Sequence, residues 1–495
     1  MKNVNKVVML LVLMAVALLS NANNIRVGIN SYNPATKVLN INLAWDHSWH
    51  DGSGVFRDAA WVFVKYKDVT DAEWKHATLL FPTSSNFLLV DTLSNQGVKF
   101  DIVPKNGIGA TSYRGTIVRR RAVLGANQNS PDLAGVYNVA MKMDLTLASS
   151  TGQPFINPEF RVFALEMVDV PQSAFFAGDG TTNSIVGNSS NPTAPLPVTS
   201  EGQINYSKNF NGTTAVAQAP LSFPKGFAEF YIMKYELSNE AYAEFLNTLT
   251  RTQQNQLVSG PLATAPDQCC WSSGFPDSYG FANPCGIYAS LGSLSAPGRF
   301  YAIYPCHPAI NQERGDIKAL SYLDWSGMRP MTGFEYEKAC RGPVYPVAGE
   351  YAWGTSMYNL VVPSTTGIDS FLSCDERPTE VIDGPINLDH IFRVGAYARD
   401  SGATRLNSGG SYYGVMEMSN NMREFTVGYG SSTSPFSNLL GDGALAVDGQ
   451  NNIASWLNVE QIGKGTYENS TVSTGDLLFD GYHAQPYIGI RGIVK

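Results

Sequence analysis

The cysteines are the residues of this chain whose type could support metal or redox chemistry. Six occur, and all of them lie between positions 269 and 374: Cys269, Cys270, Cys285, Cys306, Cys340 and Cys374. No C-x-x-C pair is present, and only Cys306 is followed by a histidine, His307. The spacing favours structural disulfides or buried thiols over a zinc site, and the pairing cannot be deduced from sequence. Cys306 and His307 are therefore weak candidates for catalysis.

Two further sets of polar residues could suggest chemistry. The stretch WDHSWHD (residues 45–51) contains His47 and His50, but a spacing of three does not place both on one face of a strand. We predict a strand end and loop held by tryptophan packing. Glu335 and Glu337 point to different faces of a predicted helix, so they are not an acid–base pair. We interpret them as a helix cap and a salt bridge.

Composition excludes several function classes. The formal net charge is −8, which provides no electrostatic footprint for nucleic acid. No Walker loop, no G-x-S-x-G and no G-x-G-x-x-G after a strand occurs. Hydrophobic residues make up 44% and charged residues 15%, which is typical of a well-packed globular protein.

The first 22 residues predict a secretory signal peptide. Lys2 and Lys6 precede an apolar run over residues 7–19, and the small residues Ser20 and Ala22 follow it. The run is too short to span a bilayer, and no other stretch of 18 apolar residues occurs. We therefore expect a secreted protein, extracellular or periplasmic, with no transmembrane segment in the mature chain.

The remaining chain predicts an α+β protein of two domains, because 495 residues exceed one ordinary core. Residues 23–158 contain β-branched and aromatic segments with turn signals between them, which predicts a β-sandwich. The stretch 181–197 is rich in Ser, Thr, Asn and Pro, and we predict a loop there. Residues 159–495 form the second predicted domain, which has a few helices and long loops.

Three helices are predicted in the second domain. Ser238 caps the first, over residues 239–247, and the second covers residues 316–325. The third lies in RPMTGFEYEKACRG (residues 329–342), where Thr332 and Glu335 form a capping box and Gly342 ends the helix. Glu337 and Arg341 are spaced as an i,i+4 pair.

Four segments in order resemble the formylglycine-generating enzyme (sulfatase-modifying factor) family. They are LEMVDVPQSAFFAGDG (165–180), FYIMKYELSNEAYAEFLNTL (230–249), ALSYLDWSGMRPMTGFEYEKACRG (319–342) with YAWGT (351–355), and YYGVMEMSNNMREFTVG (412–428) with the terminal GIRGI. The resemblance implies a loop-rich variant of the C-type lectin fold for residues 159–495.

The same resemblance implies that the family's catalytic residues are missing. Enzymes of this family use a cysteine pair near the C-terminus, which binds copper(I) and activates oxygen. No cysteine follows Cys374 in this chain, so we expect no bound copper. The histidine-rich iron site of related enzymes has no counterpart either, because no H-x-x-x-H-x-E occurs.

A calcium site is the inherited feature that the resemblance implies. In the family a Gly-Asn-x-Trp-Glu segment holds the ion through backbone carbonyls and the Glu carboxylate. The matching groups here are the carbonyls of Ser419, Asn420 and Met422 and the carboxylate of Glu424. The chain departs from the pattern at Asn420, Arg423 and Phe425. A structural Glu424 that accepts hydrogen bonds is the alternative.

These observations predict a secreted, non-catalytic binding or structural protein on a sulfatase-modifying-factor-like scaffold. We expect protein or carbohydrate partners at the cell surface, and the chain could also self-assemble. The alternative is an oxidoreductase of the formylglycine-generating type, or a related metal-dependent oxygenase, with a non-standard site. In that case Cys306 and His307 would be the first residues to mutate.

Overall fold

The structure is a computed structural model that describes most of the chain. It covers residues 25–51, 56–81, 88–90, 98–121, 135–181, 184–210, 213–258, 268–272, 285–290, 296–302, 305–309, 315–357, 394–395, 398, 405–419, 421–457, 461–464, 479–480 and 488–495. The predicted signal peptide lies outside these ranges, as do Asn420 and Cys374. Within them, no helix is both long enough and apolar enough to cross a membrane.

The described chain is rich in strands and has few helices, which is compatible with the predicted α+β class. Its strands are β1 (Arg26–Asn33), β2 (Val38–His50), β3 (Asp58–Lys67), β4 (Lys75–His76), β5 (Thr78–Leu80), β6 (Leu88–Val90), β7 (Lys99–Gly107), β8 (Ser112–Arg120), β9 (Gly135–Ala148), β10 (Glu159–Val170), β11 (Phe175–Ala177), β12 (Val186–Asn188), β13 (Leu196–Val198), β14 (Ile204–Phe210), β15 (Thr213–Ala219), β16 (Phe230–Met233), β17 (Gln268–Ser272), β18 (Cys285–Ser290), β19 (Arg299–Ala302), β20 (Arg329–Pro330), β21 (Arg423–Val427), β22 (Gln461–Lys464), β23 (Phe479–Asp480), β24 (Ile488–Gly489) and β25 (Gly492–Val494).

The helices all lie in the second predicted domain. They are α1 (Asn239–Leu246), α2 (Arg251–Leu257), α3 (Gly315–Trp325), α4 (Gly333–Arg341) and α5 (Arg405–Ser408), with a 3₁₀ turn at Ala454–Trp456. The predicted caps of α1 and α4 are confirmed, because Ser238 accepts from the Ala241 N–H and Thr332 forms a capping box with Glu335. Gly342 ends α4 at a positive φ of 67°, a conformation that favours glycine.

Thirteen strands join into one sheet that runs through both predicted domains. The main order is β1-β2-β9-β5-β8-β3-β10-β16-β25-β20, and β4, β6 and β7 pair beside it. The predicted domain boundary at residues 158 and 159 falls where β10 begins, and β10 pairs with β3 over ten positions. The two predicted domains therefore share backbone hydrogen bonds across the sheet.

The first core lies among the N-terminal strands. Inward side chains of β2 and β9 alternate with outward polar ones, as a half-buried strand requires. Leu39, Ile41, Leu43 and Trp45 of β2 are fully buried in this core. They share it with Val62 and Val64 of β3 and with side chains of β8 and β10.

The central strand β3 is buried on both faces, which explains why its sequence, DAAWVFVKYK, does not alternate. Ala60, Val62 and Val64 face the first core, whereas Trp61 and Phe63 belong to a second core with α1 and α3. The second core contains Phe245, Tyr322 and Trp325 among its aromatic side chains. Residues from the two halves of the chain thus complete each other's core.

Polar contacts reinforce this junction. The Lys65 ammonium is buried and donates to the carbonyls of Trp325 (2.6 Å) and Gly443 (2.7 Å). The Trp61 indole N–H donates to the Ser326 carbonyl at 2.9 Å. A buried ammonium is stabilised when it is hydrogen-bonded, so the N-terminal strands carry a side chain that the second half must satisfy.

Two loop predictions are wrong in part. Residues 45–50 continue β2 as strand, because a bulge between Trp45 and Ser48 adjusts the register against β9. The predicted loop at 181–197 contains β12 and the start of β13. Both short strands pair locally, with β14 and β11, so their formation depends on partners that composition alone does not reveal.

Candidate functional site

The segment predicted to hold calcium lies in the interior, where β21 begins. Glu424 is fully buried, and its Oε1 forms an ion pair with the Nε of Arg491. The guanidinium of Arg491, also fully buried, donates to the carbonyls of Met233 (2.7 Å) and Met416 (2.9 Å). These acceptors fix Arg491 between β24 and β25, with Glu424 as its charged partner.

Two further carboxylates belong to this cluster, which we call the Arg491 centre: Arg491, Glu424, Glu236 and Glu417. Glu236 follows β16 and accepts from the Met422 N–H at 3.0 Å and from Asn421 Nδ2 at 2.5 Å. Glu417 accepts from the Gly395 N–H at 3.0 Å. Glu236 and Glu417 are 1% and 3% exposed, so the acids of the centre have little access to water.

The charges of the Arg491 centre do not balance if all three acids are ionised. Burial raises the pKa of Glu236 well above its ordinary value; the charges of Glu424 and Glu417 raise it further, and Arg491 opposes them. Burial also raises the pKa of Glu424 to about 7, against the lowering effect of Arg491. One guanidinium faces three buried carboxyls, so the centre favours the protonated form of Glu236 and Glu424 more than water would.

Left-handed backbone occurs at two described residues of this segment. Asn421 and Glu417 have φ values of 65° and 57°. Asparagine tolerates this region because its short polar side chain can bond locally, and Asn421 donates to Glu236. Asn420, where we expected the turn, lies outside the described residues.

The contacts of the predicted ligands bear on whether calcium fits them. Ser419 is buried, its hydroxyl accepts from the Ala352 N–H at 2.9 Å and the Met422 N–H is bound to Glu236. These contacts fix the segment but do not involve the carbonyl oxygens predicted as ligands. Arg491 already supplies positive charge to Glu424, although the Oε2 atom of Glu424 is buried without a hydrogen-bond partner. The geometry favours a structural carboxylate paired with arginine, and calcium stays a prediction. Among the described side chains, no group of three or more His, Cys, Asp or Glu is arranged to hold a metal.

Cys306 and His307 lie beside the start of α1. Cys306 is disulfide-bonded and 1% exposed, and His307 is 2% exposed. The His307 carbonyl accepts from the Asn239 N–H at 2.8 Å, and Pro308 forms a β-bridge with Ser238. A disulfide sulfur is neither a nucleophilic thiolate nor a thiolate ligand, so this pair supports the position of α1.

Helix α4 is also held by buried charges. Arg329 donates to both carboxylate oxygens of Glu335, at 2.9 and 2.6 Å. The i,i+4 pair of Glu337 and Arg341 is confirmed at 3.1 Å, and Arg341 also pairs with Glu350. Glu335 and Glu337 therefore act as structural ion-pair partners in the interior.

The sequence interpretation missed Arg491, Glu236 and Glu417. A signal for Arg491 was present, because an arginine inside the apolar run IGIRGIV needs a buried acid as its partner. The sequence does not say which acid, since Glu424 is 67 residues away.

Comparisons with known proteins gave no relative. No protein-family model, curated protein or solved structure matches the chain. The function must therefore be argued from the residues themselves.

Proposed function

We propose that this chain is a secreted, non-catalytic binding or structural protein on a scaffold similar to the formylglycine-generating enzymes. The observation that carries the proposal is the state of its cysteines. The chain has no cysteine after Cys374. Of the cysteines whose side chains the structure describes, Cys340 is a buried thiol and Cys306 is disulfide-bonded. Neither is the accessible thiolate that copper-dependent oxidation requires.

The interior charges support the same proposal. Catalytic sites shift pKa values at positions that a substrate can reach. The shifted acids Glu236 and Glu424 are at most 1% exposed, and their described contacts satisfy backbone or arginine donors. We therefore propose that the Arg491 centre holds β21, β24 and β16 together. Calcium bound by Ser419, Asn420, Met422 and Glu424 remains a separate proposal.

A thiol count combined with metal analysis tests the proposal. In the native protein, Cys340 should not react with a thiol reagent, and it should react after denaturation. Purified protein should contain no stoichiometric copper or iron. A thiol that reacts in the native protein, together with stoichiometric copper, would favour the oxidoreductase alternative. The Cys306→Ser variant then separates the two accounts, because it should lose copper only if Cys306 is a ligand.

Partners at the cell surface, protein or carbohydrate, are part of the proposal. Long loops on a rigid frame suit recognition. The outer face of the N-terminal strands supplies a second surface.

A further inference from the structure

The outer face of β1, β2 and β9 carries a hydrogen-bonded array of amide side chains. Asn30 Nδ2 donates to Asn40 Oδ1 at 2.9 Å and to Asn42 Oδ1 at 2.7 Å. Asn42 Nδ2 returns a bond to Asn30 Oδ1 at 2.9 Å, and Asn40 Nδ2 donates to Asp144 Oδ1 at 2.5 Å. The four residues hold each other in place across three strands, and we call them the amide array.

The register places small side chains next to the amide array. Arg26 pairs with Ala44 and Gly28 pairs with Asn42, while Ala44 and Asn42 pair with Ala140 and Lys142 of β9. A Cβ atom added at Gly28 would meet no atom within 4 Å. The array is therefore bordered by a shallow, open strip.

The composition of this face is unfavourable for a strand, which calls for an explanation. Asn and Asp are depleted in strands, on a propensity scale that spans about 1 kcal/mol. Thr or Val at Asn40 and Asn42 would satisfy the strands better, and the inward positions of β2 follow the ordinary pattern with Leu and Ile. Residues that lower the strand propensity without improving the packing are expected at functional surfaces.

The hydrogen-bonding groups and the charge of this face indicate which class of ligand it suits. Amides both donate and accept, as sugar hydroxyls do, and each amide of the array retains unused donors or acceptors. Arg26 forms two hydrogen bonds with Asp46, and Lys142 offsets Asp144, so the formal charge of the face is zero. The described face has no aromatic or methionine side chain beside the array to serve as a protein-interface anchor.

We propose that this face, resting on the binding function proposed above, is a recognition surface for a neutral polysaccharide. Strand spacing and rise give the array and its strip about 10 Å by about 14 Å, room for two or three sugar rings. The bulge between Ile29 and Ser31 interrupts the edge of β1, which disfavours pairing with the strand of another protein. Because mutual hydrogen bonds fix the amides beforehand, little side-chain entropy is lost on binding.

Affinity electrophoresis of the secreted protein tests the proposal. Native gels should contain dextran, mannan, xylan or a β-1,3-glucan, and at least one should retard the protein. Gly28→Trp should abolish the retardation, because the added Cβ has no neighbour within 4 Å and the indole beyond it would cover the strip. Val447→Trp is the matched control: Val447 is 85% exposed in a turn whose neighbouring residue Ala446 contacts Gln253 of α2, and this variant should bind normally.

The Asn42→Thr variant separates binding from folding. It removes an amide from the array and improves strand propensity, so its melting temperature should stay equal or rise. Its affinity should fall about threefold to tenfold, as expected for one or two lost hydrogen bonds.

Each other outcome overturns the proposal. If none of the four polysaccharides retards the protein, the face is not a glycan site, although the non-catalytic function is unaffected. If Gly28→Trp binds as well as the unmodified protein, the glycan lies elsewhere. If Asn42→Thr is clearly less stable, the asparagines serve the fold and the argument from propensity fails.

Discussion

Replacing Arg491 with methionine tests the energetics of the Arg491 centre. Methionine preserves much of the side-chain volume but removes the guanidinium that pairs with Glu424 and donates to the Met233 and Met416 carbonyls. Removing one partner of a fully buried ion pair typically costs about 3–5 kcal/mol. Two carbonyls lose a charged donor as well, so we expect a loss of about 4 kcal/mol or more, measured by urea unfolding.

A double-variant cycle identifies the cause of this loss. Arg491→Met combined with Glu424→Gln should be more stable than the sum of the single losses predicts, by about 1–3 kcal/mol, because the unpaired charge is gone. Arg26→Met is the control: its partner Asp46 lies near the surface, so it should change stability by less than about 1 kcal/mol. Equal losses for Arg491→Met and Arg26→Met, or strictly additive losses in the cycle, would show that the buried ion pair is not the cause.

Three further predictions follow from buried groups. The pKa of Glu424 is raised from 4.5 to about 7, so the folded chain binds a proton there that the unfolded chain releases. The stabilisation that this bound proton gives the folded state is complete below pH 4.5 and is lost as the pH rises through 7. The melting temperature should therefore fall between pH 4.5 and 7, and it should fall less steeply in the Glu424→Gln variant. Gly443→Ala should destabilise the protein by about 2 kcal/mol or more in thermal unfolding, because its Cβ would lie 2.3 Å from the His76 ring. Gly349→Ala is the control: it is also at positive φ but in open space, so it should cost only about 1 kcal/mol. Thr332→Ala should cost about 1 kcal/mol through loss of the α4 cap, and an unchanged urea midpoint would contradict the capping role.

Short-range signals in the sequence predicted α1, α3 and α4, whereas α2 and α5 were not predicted. The capping box at Thr332, the stop at Gly342 and the pair of Glu337 and Arg341 depend on residues within one or two turns. Such interactions are fixed by helical geometry, so their spacing is visible in the sequence. The sequence did not reveal that all nine residues of α4 are buried, because the elements that cover α4 come from distant parts of the chain.

Long-range pairing accounts for what the sequence did not predict. Glu424 is visible in the sequence as a candidate residue, but its partner Arg491 and its neighbour Glu236 come from elements far along the chain. The junction at Lys65 is similar, because the carbonyls it binds belong to residues 260 and 378 positions away. A sequence shows that a buried charge needs a partner, whereas only the fold identifies it.

A turnover assay by mass spectrometry decides whether this protein is catalytic. The purified protein is incubated, with and without Cu(I), with a peptide that carries the sulfatase-type Cys-x-Pro-x-Arg motif. If the protein is non-catalytic, the mass of the peptide should stay unchanged both with and without Cu(I). Conversion to formylglycine that persists at high purity, and that Cys306→Ser abolishes, would contradict the account and make the region around Cys306 an active site.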